Sequence, residues 1–139
     1  IQVVADIDLD RLGGPAQDSV TVDGLQTVEL STPVGWIATA HPELQVAVVD
    51  GGTAFRPEAD FFVFTAERAV PGLRFHNGSR PDGGPNPDSS GTNAERVARA
   101  VRLAFYVSQE IANADRMPHW TAEGRRQIIE MLDQPSSAP

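Results

Sequence analysis

Asp6, Asp8 and Asp10 stand at alternate positions of the run Asp6-Ile7-Asp8-Leu9-Asp10. In an extended chain all three carboxylates then project from one side, where hard oxygen donors can hold a cation such as Ca²⁺. The same spacing suits the solvated polar face of a strand. An EF-hand loop counted from Asp6 needs Gly at its sixth position and Glu at its twelfth, and Arg11 and Gln17 stand there instead. His41, His76 and His119 are widely separated, with no second His at helical or strand ligand spacing. A His-based metal site would need the fold to bring distant residues together. Ser79 and Ser108 lie in no Gly-x-Ser-x-Gly elbow, and Glu67-Arg68 reads more simply as an exposed ion pair than as a catalytic one. The sequence therefore assigns no catalytic residue and no cofactor, and leaves Asp6, Asp8 and Asp10 as the candidate metal ligands.

Two missing residue types narrow the chemistry further. The chain has no Cys, which excludes disulfides, thiolate nucleophiles and Cys-ligated zinc or iron–sulfur sites. All of its basic residues are Arg and none is Lys, which excludes a P-loop lysine and a pyridoxal Schiff base. Nineteen acidic residues against eleven Arg give a formal charge of −8, opposing phosphate backbones and arguing against a nucleic-acid partner. No apolar run approaches the ~18 residues of a membrane span. No basic stretch leading into an apolar one opens the chain, so a secretion signal is expected to be absent or removed.

A chain of 139 residues suits one domain, read as spanning 1–134 with a tail over 135–139. Residues 1–75 read as strands and turns, with Val, Ile, Thr and Phe clustered between Gly, Pro and Asp. Strands are expected at 2–8, 19–22, 26–30, 36–39, 44–49 and 60–65, the last a central one because Phe61 to Phe64 are continuously apolar. Residues 77–91 carry no large apolar side chain and read as a flexible Gly/Pro-rich loop containing the sequon Asn77-Gly78-Ser79. A long helix follows, capped by Thr92 and Glu95, with Val97, Val101, Phe105, Ser108 and Ile111 forming its buried stripe together with Ala98, Ala104 and Ala112. Pro118 ends it, and Thr121 caps a shorter helix burying Ile128, Ile129 and Leu132. The predicted architecture is α+β: an antiparallel sheet from residues 1–75 packed against one long and one short C-terminal helix.

Trp36 and Trp120 are the candidate partner-binding aromatics. Trp36 follows Pro33-Val34-Gly35, a setting that suits a ligand cleft or, with the indole N–H bonded inside, a core anchor; the core reading is preferred. Trp120 precedes a helix, where packing between helices explains it unless it is exposed.

The segments Leu30-Ser31-Thr32-Pro33-Val34-Gly35-Trp36, His41-Pro42-Glu43-Leu44 and Phe55-Arg56-Pro57, leading into residues 61–68, resemble the opening strands of the actinobacterial LpqN/LpqT-type branch of Mog1/PsbP-like proteins. The resemblance covers about a third of the chain and departs after Arg68, where the family returns to strands and this chain enters its Gly/Pro stretch. It implies a small non-catalytic module, secreted or lipid-anchored, that binds partners at the cell envelope. No lipobox Cys is present to carry a lipid anchor. The function expected is a non-enzymatic binding or assembly module with a protein partner or a second copy. The alternatives are a structural subunit of a viral or secretion assembly, and a metal-dependent or acid/base enzyme built on the Asp6/Asp8/Asp10 cluster.

Overall fold

Gly72–His76 alternates Leu73 and Phe75 with Arg74 and His76, and all five residues are buried. A strand with that pattern needs an apolar layer on one face and compensating charge on the other, and the fold supplies both. The computed structural model describes residues 3–10, 12, 19–52, 64–65, 68–77 and 94–133. Their order is β1 (Asp6–Asp10), β2 (Ser19–Asp23), α1 (Ser31–Ala40), a 3-10 turn (Pro42–Leu44), β3 (Ala47–Gly52), β4 (Gly72–His76), α2 (Ala94–Asn113) and α3 (Ala122–Asp133).

The four strands form one sheet in the order β1-β4-β2-β3. The class is α+β as predicted, but the sheet is mixed and only β2 and β4 run antiparallel. β1 pairs with β4 in parallel, and β2 with β3 likewise. The reason lies in α1: a helix between β2 and β3 returns the chain to the same edge, so the second strand enters in the direction of the first. Residues 36–39, expected as a strand, belong to that helix. Leu30, Val34 and Ile37 recur at helical spacing and are buried, Pro33 sits in the first turn where its missing N–H costs nothing, and Pro42 follows the end. The Leu30–Trp36 segment that carries the family resemblance thus runs into a helix. Trp36 was expected in the core and is instead 56% exposed.

β4 was not foreseen as a strand, and it is central. Of the strand expected at 60–65, residues 60–63 lie outside those described, and Phe64 and Thr65 are helical with Phe64 exposed. The segment expected as a strand over 26–30 makes a single antiparallel bridge, Val28 to Trp120. Most of the loop expected over 77–91, the Thr92 cap and the 135–139 tail fall outside the described residues.

The helices cover the apolar face of the sheet. Val20, Val22, Leu73 and Phe75 meet Val34 and Ile37 of α1 and Leu103, Ala104 and Val107 of α2 in one buried cluster. Full burial of a side chain such as Phe75 or Leu103 stabilises by roughly 1.5–3 kcal/mol. On α2 the buried stripe runs through Ala100, Leu103, Ala104 and Val107, while Val101 and Phe105 face outward. The expected stripe is therefore turned by roughly a quarter of a helical turn. Thr121 caps α3 as predicted, its hydroxyl accepting from the Gly124 N–H at 3.1 Å. Among the described residues no helix is long and apolar enough to cross a membrane.

Candidate functional site

The opposite face of the sheet gathers the titratable groups. Register places Arg74 of β4 between Asp8 of β1 and Asp23 of β2, and His76 between Asp10 and Thr21. Side chains of paired residues share a face, so three strands deliver Asp8, Asp10, Asp23, Arg74 and His76 to one place. Arg74 donates from Nη2 to Asp10, its Nη1 lies 3.6 Å from Asp23 Oδ2, and its Nε lies 3.8 Å from Asp8 Oδ2. His76 Nε2 is 3.2 Å from Asp23 Oδ1. Asp23 is fully buried, Arg74 is 7% exposed and His76 4%. Asp8 and Asp10 are half-buried at the β1 side.

Asp23 reaches this depth because β3 has no side chain opposite it. A β-carbon on Gly51 would overlap the Asp23 carboxylate and crowd Thr21. The β2–β3 register also shifts at Val22/Asp23, so that Asp23 pairs with Gly52, a bulge of the kind that re-aims a side chain.

Asp6 shares the face with Asp8 and Asp10, and burial pushes its carboxyl above the ordinary value, offset in part by a hydrogen bond from the Ile7 N–H. The three aspartates of β1 thus lie together as their spacing predicted. Of the three, Asp8 and Asp10 face the Arg74 guanidinium. Among the described residues no group of three acidic or imidazole side chains is arranged to hold a metal ion.

The remaining candidates scatter. His41 stacks on Tyr106 with ring centroids 4.3 Å apart, and its Nδ1 pairs with Glu43 at 2.8 Å; that bond holds the Glu43 carboxyl below its usual range. His119 is exposed beside Trp120, and its carbonyl accepts from Glu29. Ser108 donates back to the Ala104 carbonyl within α2, the ordinary habit of a helical serine. Asn77 is half-buried and donates its amide to the Leu12 carbonyl. Ser79 and Glu67 lie outside the described residues, and Arg68 is exposed.

Trp120 is buried and donates its indole N–H to the Ala69 carbonyl at 2.8 Å, so it anchors the core and offers no surface to a partner. Trp36 is exposed on α1. A groove of about 230 Å³ between the start of α1 and the end of α2 is lined by Leu30, Pro33, Ile111 and Met117 with Glu29 and Glu110, and Trp36 is not part of its lining.

No family model, curated protein or solved structure matches the chain.

Sequence reading missed Asp23, Arg74 and His76 as a set. The alternation in Leu73-Arg74-Phe75-His76 was the available signal: two basic residues at period two between large apolar ones mark a strand with one charged face.

Proposed function

We propose that this chain is a non-enzymatic binding module that recognises a protein partner through its helical face. The observation that carries the reading is Trp36. The other large apolar residues of α1, Val34 and Ile37, are buried to within a few per cent, whereas the Trp36 ring is more than half exposed. Leaving an indole in water forgoes a large burial energy, and exposed aromatics of this kind are enriched where partners bind. Phe105 on α2 is exposed to the same degree. Kinship with Mog1/PsbP-like envelope modules is part of this proposal and accords with it.

The charged cluster supports the reading from the other side. Arg74 spends its guanidinium on carboxylates of the same sheet, the pattern of an internal ion-pair network.

Affinity purification with the intact chain, Trp36→Ser and Phe105→Ser is the test. A partner retained by the parent and lost from Trp36→Ser, at equal thermal stability, is the expected result; identical capture by all three overturns it. Light scattering on the same proteins separates a foreign partner from self-association.

A second reading, acid–base chemistry, is favoured by one contact, His76 to Asp23 at 3.2 Å. An imidazole oriented by a carboxylate is the usual arrangement of a general base, though burial closes this pair to a substrate. Hydrolytic turnover abolished by His76→Gln would favour it over the binding reading.

A further inference from the structure

The groove between the start of α1 and the end of α2 has walls that the main chain ties together. Its α1 side is made by Leu30, which is buried, and Pro33, which is half-buried; its α2 side is made by the half-buried Ile111, with Ala114 and Pro118 just beyond the helix. The chain before α1 and the chain after α2 are laced to each other. The Glu29 N–H donates to the His119 carbonyl at 2.9 Å, the Thr121 N–H donates to the Thr27 carbonyl at 3.0 Å, and Val28 bridges to Trp120. Trp120 is anchored in turn by its indole bond to the Ala69 carbonyl. The two walls are therefore held at a fixed spacing, and a cavity built this way binds without first having to order itself.

Size selects the occupant. The groove's volume of about 230 Å³ falls below the roughly 300–1,000 Å³ of ordinary small-molecule pockets, yet exceeds the roughly 150 Å³ that takes up a benzene ring. One aromatic side chain fits, with room for the atoms that join it to its backbone. Charge selects what flanks that side chain. Among the described residues the lining carries two carboxylates, Glu29 and Glu110 on opposite walls, to one guanidinium, that of Arg116. Both glutamates are exposed, so each can turn to a partner's cation, and the formal charge of −8 on the whole chain draws basic segments in and holds acidic ones off. Trp36 lies one helical turn on from Pro33, and residues three apart on a helix are neighbours. A segment anchored in the groove can therefore run on across the exposed indole.

We propose that this groove anchors a segment of a protein partner by one aromatic side chain, with an adjacent Arg or Lys reaching Glu29 and Glu110. The proposal rests on the helical-face reading for the class of partner and adds where that partner docks and by what chemistry. An aromatic anchor in a fitted apolar pocket with polar groups around it is the usual make-up of an interface hot spot. A second copy of this chain is disfavoured as occupant, because it brings the same negative charge.

Titration of the intact protein with the peptide Arg-Phe-Arg, followed through the methyl chemical shifts of Ile111 and Met117, tests this beside Arg-Ala-Arg, Glu-Phe-Glu and phenethylamine. The expected result is a saturable shift with Arg-Phe-Arg, none with Glu-Phe-Glu, and an affinity for Arg-Phe-Arg roughly tenfold or more above that for Arg-Ala-Arg, the worth of burying an aromatic ring. Ala114→Phe, which fills the groove from an exposed position, should lose binding by a similar factor. Glu29→Gln combined with Glu110→Gln leaves the apolar walls in place and should weaken binding by roughly two- to tenfold. Equal binding of Arg-Phe-Arg and Arg-Ala-Arg shows bare charge attraction and overturns the proposal, as does binding undiminished in Ala114→Phe. Phenethylamine held as tightly as the peptide makes the groove a small-molecule site, and a dimer in light scattering that Ala114→Phe dissolves gives it to a second copy; either result also overturns the proposal. Trp36 lies outside the lining, so Arg-Phe-Arg should still bind Trp36→Ser. Loss of binding there moves the anchor from the groove to Trp36, which separates failure of this proposal from failure of the helical-face reading.

Discussion

Gly51 lies against the buried carboxylate of Asp23 so closely that a β-carbon at position 51 would occupy the volume of Asp23 Oδ1. The absence of a side chain on an edge strand is what lets a carboxyl sink beneath β2 and meet Arg74 and His76.

Gly51→Ala should therefore destabilise the fold by about 1–3 kcal/mol, the range of overpacked sites, by pushing Asp23 off its partners. Gly52→Ala, with open space at its β-carbon but a φ of +90°, should cost about 1 kcal/mol through backbone strain alone. Urea denaturation of the two variants separates the mechanisms, since only Gly51→Ala should couple to Asp23→Asn in a double-mutant cycle.

Arg74→Met is expected to cost about 3–5 kcal/mol, because it leaves the fully buried Asp23 without its guanidinium. Adding Asp23→Asn should recover part of that loss. A double variant less stable than Arg74→Met alone would show that the cluster is held by something other than the Arg74 pairing.

Asp6 carries the pH prediction. Its folded-state pKa is raised, with burial the leading cause. The folded chain then holds the Asp6 proton more tightly than the unfolded chain. Its contribution to stability is complete below the ordinary carboxylate pKa and is lost as pH rises through the raised value. Asp6→Asn should consequently stabilise the protein at pH 7 and confer no such gain at pH 3. Thermal melts at the two pH values read the difference, and an equal shift at both would contradict it.

The two tryptophans should answer mutation oppositely. Trp120→Phe loses the indole bond to the Ala69 carbonyl and should cost about 1 kcal/mol or more, whereas Trp36→Ser should leave stability within about 0.5 kcal/mol, as surface changes do. Fluorescence should follow: quenching by acrylamide is expected to act on Trp36 and spare Trp120.

Gly124 gives a similar test of close approach. A β-carbon there would strike the Thr27 carbonyl, which is already bonded to the Thr121 N–H at 3.0 Å. Gly124→Ala should lower stability by about 1–3 kcal/mol despite alanine's better helix propensity, checked by the denaturation midpoint.

Much of this protein was legible from one dimension. Local rules suffice for an amphipathic helix over 94–113, for the Thr121 cap and for the alternation that sets Asp6, Asp8 and Asp10 on one side, since each depends on residues a few positions apart. Composition alone removed thiol and lysine chemistry. What the tertiary structure decided was pairing. Residues 31–40 could satisfy a strand or a helix locally, and burial of Val34 and Ile37 against the sheet selected the helix, which in turn made β2 and β3 parallel. The partner of the aspartate row was equally hidden. Arg74 lies 64 residues beyond Asp10 in the chain, and no local spacing encodes which strand will lie beside which; only the packed sheet set a guanidinium beside Asp8 and Asp10.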